Sequence, residues 1–184
     1  KQMSDEDIAM QLQSKDQTDV IAALDLIRDR DIFKFVPNIE KLLVSYPKQS
    51  IRSFALLLLV QKQINKDVNF NHMDEIIVVN PTKLIPPFIG EKFNSFAKKL
   101  DNEFKDPVLS QNAVQLLSSY IIYIYPSTIS FKDEVTVEAL FQISSSYMQI
   151  SPKETLEQRC LIKGLNVAEV EDAIHLIKEA VEDF

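Results

Sequence analysis

The chain is poor in the residues on which most recognisable chemistry is built. Its 184 residues include one cysteine, two glycines, two histidines and no tryptophan. A lone Cys160 excludes an intrachain disulfide and points to a reducing compartment. With glycine confined to Gly90 and Gly164, a phosphate-cradling loop has no material, and a turn-rich all-β fold is disfavoured. Long apolar runs are missing as well. Runs such as Phe54–Val60 and Ile121–Ile124 fall far short of the ~20 residues needed to span a bilayer. No signal-peptide pattern opens the chain, so the expected location is cytoplasmic. The chain begins with a lysine, and the natural N-terminus is expected to extend further.

What is present is ordinary for a folded domain: 46% hydrophobic and 26% charged residues, in a length close to one domain. The net charge of −7 is uneven, at 0 over residues 1–64, −3 over 65–150 and −4 over 151–184. An acidic chain with an acidic end repels nucleic acid and anionic membrane surfaces. Solubility is the simplest reading of that charge, and basic partners are compatible with it.

Apolar periodicity carries the fold. Ile39, Leu42, Leu43 and Tyr46 fall on one helical stripe, with Pro37 in a first turn. After Pro47 a second helix carries Ile51, Phe54, Ala55, Leu58 and Leu59, and Leu56, Leu57 and Val60 make it apolar on more than one side. An early proline followed by a helix opening on Ile51-Arg52 is the pattern of a HEAT or armadillo unit. Upstream, Ser4 with Asp7 and Asp16 with Asp19 read as starts of two helices, the first carrying Ile8 and Leu12, the second Val20, Ala23, Leu24 and Ile27.

The pattern breaks after Ile64. Residues 66–72 alternate and residues 75–80 contain the β-branched Ile76, Ile77, Val78 and Val79, which reads as a hairpin turning over 71–74. A proline loop follows at Pro81 and Pro86-Pro87. Helices resume with a Phe93, Phe96, Ala97, Leu100, Phe104 stripe. Next comes Asp106-Pro107 leading to Ala113, Leu116, Leu117, Tyr120 and Ile124, then a helix over about 133–148 with Val137, Leu140, Phe141 and Tyr147. Ser151-Pro152-Lys153-Glu154 reads as a capping box opening a short helix that Gly164 closes. Asn166 would cap a last helix with Val167, Val170, Ile174, Ile177 and Val181 inward. The expected fold is mostly α, an antiparallel HEAT/TPR-like stack with one small β-hairpin insertion. Its parts are helical hairpins over 1–64, the hairpin and proline loop over 65–90, and a helical domain over 91–184 ending in a helix-turn-helix-like hairpin, together expected to form one compact unit.

Pro81 and the Pro86-Pro87-Phe88 spacing after a small hairpin, then helices and a terminal helical hairpin, resemble an uncharacterised family of low-GC Gram-positive bacteria. That family is described as tetratricopeptide-repeat proteins of unknown function. The resemblance covers nearly the whole chain. It implies tetratricopeptide-like repeats N-terminal to this region, which are absent here, and it brings no catalytic residue.

Residue types able to do chemistry are sparse. His72 lies among Asp67, Asp74 and Glu75 without metal-ligand spacing, and His175 reads as a helix-surface residue. Cys160 is flanked by Leu156 and Leu161 and reads as a small core residue. Ser144–Ser146 fall within a helix rather than on a nucleophile elbow. Glu169, Glu171 and Asp172 are helix-surface acids.

Cys160, Gly164 and Val170 match the spacing of a helix-turn-helix, but those three acids would open its reading helix, where phosphates repel them. The expectation is therefore a non-enzymatic interaction or scaffold module with an unknown protein partner and no cofactor, metal or membrane. Its oligomeric state is open, and nucleic-acid regulation through the C-terminal helices is the alternative. The one segment marked for partner contact is Ile85-Pro86-Pro87-Phe88, whose simpler reading is a plug over the helix layer.

Overall fold

The computed structural model describes residues 2–88 and 91–184, with the side chains of residues 91 and 92 left out. Gly90, the expected end of the hairpin-and-loop segment, lies outside the described residues. The described chain is mostly helical with one two-stranded antiparallel sheet. It forms two compact units, Lys1–Pro87 with Phe184, and Phe88–Asp183.

In the first unit, α1 (Asp5–Gln11) starts where Ser4 Oγ accepts the Asp7 amide at 3.2 Å. The second helix, α2 (Gln17–Arg28), starts where the Asp16 carboxylate accepts the Thr18 amide at 2.9 Å. These side chains satisfy amides that have no partner within a helix. A 3₁₀ turn at Ile32–Lys34, which periodicity did not reveal, leads into α3 (Val36–Ser45) with Pro37 in its first turn. Ile39, Leu42 and Leu43 are buried, while Tyr46 stands just past the helix in extended backbone, half-buried.

The next helix, α4 (Gln49–Gln61), packs against α2, α3, the hairpin and a 3₁₀ turn at Pro81–Lys83. Neighbours on several sides account for its all-round apolar sequence. Each of its buried leucines contributes about 1.5–3 kcal/mol.

The hairpin pairs β1 (Val68–His72) with β2 (Glu75–Val79), Val68 opposite Val79 and His72 opposite Glu75. Val68 and Phe70 are buried, as the alternation predicts, whereas Ile76 and Val78 on β2 face outward. Met73 and Asp74 form the two-residue turn with φ of 52° and 68°. Left-handed backbone at both positions matches the twist of the flanking strands.

The second unit comprises α5 (Glu91–Glu103), α6 (Pro107–Ile124), α7 (Asp133–Tyr147), α8 (Leu156–Lys163) and α9 (Val167–Glu182). Leu100, Leu117, Leu140 and Ile143 lie at the centre of its core. Both α6 and α7 pack on α9, where the fully buried Ala173 and Ala180 allow close approach between larger residues of the stripe.

Further local expectations change. The capping box is Thr155/Gln158 rather than Ser151–Glu154. Thr155 Oγ1 accepts the Gln158 amide at 3.2 Å, and Gln158 Oε1 accepts the Thr155 amide at 2.9 Å. That reciprocal pair satisfies two amides together and sets the start of α8. Tyr147, placed in the α7 stripe, is exposed at the last turn. Leu161, read as sharing an apolar face with Cys160, is 84% exposed because successive helical residues point about a third of a turn apart.

Candidate functional site

A cleft of about 690 Å³ lies in the first unit. One wall is the turn from α1 to α2, residues 12–17, and the other is α3 with the turn into α4, residues 38–48. The floor is apolar, with Leu12 and Leu42 buried and Tyr46 and Pro47 beside them. The rim is polar and carries Lys15, Lys41 and Lys48.

Local chemistry shapes both walls. Ser14 Oγ accepts the Asp16 amide at 3.1 Å and donates to Asp19 Oδ2 at 2.8 Å, which ties the α1–α2 turn to the first turn of α2. Lys48 Nζ donates to Gln17 Oε1 at 2.7 Å and joins the two walls at one end. Burial, with the nearby Asp16 charge adding to it, pushes the Tyr46 hydroxyl above the ordinary tyrosine range. Both effects disfavour the phenolate, so this hydroxyl stays protonated and able to donate.

Behind Tyr46 stands a buried arginine. Arg52 on α4 is 4% exposed and its guanidinium donates to the Tyr46 carbonyl, to Gln49 Oε1 at 2.6 Å and to the Asn71 carbonyl at 2.9 Å. Gln49 Oε1 also accepts the Met73 amide at 3.0 Å, and Asn71 Nδ2 donates to the Val44 carbonyl at 3.3 Å. A planar fork with five donors can hold three separate acceptors in fixed relation. Arg52 thus fixes the Tyr46–Lys48 wall against α4 and the hairpin.

Periodicity registered Arg52 only as a helix-opening residue. Its signal was a cation at the head of an otherwise apolar helix. The cleft itself joins residues about thirty positions apart, and no local pattern marks it.

The marked loop residues are partly outward. Ile85 is 79% exposed, Pro86 and Pro87 are half-buried, and Phe88 packs edge-on to Phe93 with ring centroids 5.3 Å apart. The prolines suit a plug; Ile85 does not. His72 is the last residue of β1 rather than part of the turn, and lies against Phe70. His175 is exposed on α9. Among the described residues no group of three His, Cys, Asp or Glu side chains is placed to hold a metal ion.

Cys160 is buried, and that burial, with Glu138 and Glu157 adding to it, pushes its thiol up. A raised thiol is the reverse of an activated nucleophile. Ser144 and Ser145 are buried on α7, and no described residue hydrogen-bonds either hydroxyl.

Glu138, fully buried on α7, accepts from Arg159 Nε at 2.7 and 3.1 Å. Lys163 bonds Glu103, and the Arg159 guanidinium stacks 3.7 Å over the Phe141 ring. These two carboxylates and two cations neutralise one another, a clasp that holds α8 on α5 and α7. The turn from α8 to α9 passes through Gly164 at φ +68°, and Glu169, Glu171 and Asp172 are exposed at the opening of α9. Among the described residues no helix is long and apolar enough to cross a membrane. No protein-family model, curated protein or solved structure matches the chain.

Proposed function

We propose that the chain is a non-enzymatic, cytoplasmic protein-interaction module that receives a peptide segment in the cleft between residues 12–17 and 38–48. The cleft carries this reading. Its volume falls in the range of ligand-binding clefts, and its apolar floor inside a polar rim offers burial together with hydrogen-bonding partners. Its walls are tied by Lys48–Gln17 and backed by Arg52, so little ordering remains to be done on binding. The inactive character of Cys160 and the neutral clasp around Glu138 lend no support to catalysis. Nucleic-acid regulation through α8 and α9 has less support, since the exposed acids at the head of α9 would face phosphates. Kinship with the helical-repeat family remains part of the proposal and rests on Pro81 and Pro86-Pro87-Phe88.

The test is selection from a phage-displayed library of random linear peptides on the immobilised chain, repeated with Ser45→Trp. Ser45 is exposed and lines the cleft, so an indole there should fill it without disturbing the core. Enriched peptides that bind the parent chain and not Ser45→Trp are expected. No enrichment, or binding indifferent to Ser45→Trp and lost in Ile85→Asp, would move the function away from the cleft.

A further inference from the structure

We infer that the segment the cleft receives is acidic: a stretch of a partner protein in which aspartate or glutamate side chains alternate with apolar ones. The inference rests on the interaction reading above. Lys15, Lys41 and Lys48 line the cleft from three different segments, namely the α1–α2 turn, the middle of α3 and the entry to α4. None of the three forms an ion pair with a described residue; Lys48 Nζ is held by the neutral amide oxygen of Gln17.

Asp16 is the one carboxylate among the described lining residues, and it is engaged by the Thr18 amide at the head of α2. The rim is therefore locally positive in a chain whose net charge is −7. Local charge of that sign attracts carboxylates and rejects basic segments, and so gives specificity as well as a faster encounter.

The spacing of the charges favours a chain over a small anion. Three lysines on separate segments, around a floor of Leu12, Leu42 and Pro47, suit carboxylates separated along a peptide with apolar side chains between them. A single phosphate or carboxylate would leave the floor unused. A second copy is the competing occupant, because residues 151–184 carry a net charge of −4.

The experiment reads the composition of the selected peptides and titrates a labelled peptide from the most enriched group against three chains. These are the parent, Lys15→Glu/Lys41→Glu, and Lys62→Glu, an exposed charge reversal outside the cleft. Circular dichroism checks that all three fold. The expected result is enrichment of acidic-apolar peptides, affinity weakened about tenfold or more in the double variant and unchanged in Lys62→Glu, and weakening as salt rises. Enriched peptides that are neutral or basic, or that ignore the double reversal, would overturn the acidic partner and leave the interaction reading standing. No enrichment would overturn both. Sedimentation of the chain without peptide gives the remaining outcome: self-association abolished by Lys15→Glu/Lys41→Glu would assign the cleft to a second copy and overturn the separate partner.

Discussion

Arg52 shows how one buried polar side chain can govern a surface far larger than itself. Replacing it with leucine leaves the Tyr46 and Asn71 carbonyls and Gln49 without the donor that organises them. Stranding buried acceptors is costly, so Arg52→Leu should lower stability by about 3 kcal/mol in urea unfolding. Arg52→Lys should recover little, because one ammonium cannot reproduce the fork. Full recovery by lysine would mean that charge alone, and not geometry, matters there.

A second residue-scale prediction concerns Tyr125, whose hydroxyl is pushed up to about 12 by burial. An unfolded tyrosine titrates near ~10. The folded value lies above the unfolded one, so the associated stability is fully present below pH ~10 and is lost as pH rises from there toward 12. Unfolding measured along an alkaline series should show this decline. Tyr125→Phe should flatten it, and an unchanged slope would remove Tyr125 as its source.

At the scale of elements, the scarcity of glycine has a structural counterpart. Among the described residues three helices end in the same motif, in which a left-handed residue donates back three positions and the next residue donates back five. Only α8 uses glycine, with Gly164 to Leu161 and Leu165 to Cys160. The other two use glutamine: Gln63 after α4, at φ 53°, and Gln149 after α7, at φ 55°. A Cβ in this conformation is strained, so Gln63→Gly and Gln149→Gly should each stabilise the chain by about 0.5–1 kcal/mol, less the entropy glycine adds to the unfolded state. Thermal unfolding checks this, and a lower Tm in both variants would contradict it.

The same feature explains what was legible in the sequence. Helix bodies declared themselves through stripes such as Leu116, Leu117, Tyr120 and Ile124, and starts through Ser4, Asp16, Asp106 and Asn166. Ends marked by glutamine carried no such signal. The start of α8 was misplaced because Ser151-Pro152 imitates a cap, while the working pair, Thr155 and Gln158, lies just beyond it.

At the scale of the whole molecule, fold class was readable and the candidate site was not. A mostly helical chain with one hairpin follows from local periodicity, because each element needs only its own residues to show its inner face. The cleft exists only after residues 12–17 meet residues 38–48, and its charge is hidden beneath a net charge of opposite sign. The loop at Ile85–Phe88 drew attention because prolines stand out in a sequence, whereas Lys15, Lys41 and Lys48 look like any solvated lysines until the cleft gathers them.

The decisive measurement is an amide chemical-shift map of the isotopically labelled chain during titration with an enriched acidic peptide. Perturbations should concentrate at residues 12–17 and 38–48 and vanish in Lys15→Glu/Lys41→Glu. Perturbations centred instead on residues 85–88 or on α8 and α9, or an unperturbed cleft with peptide bound, would contradict the assignment of function to this groove.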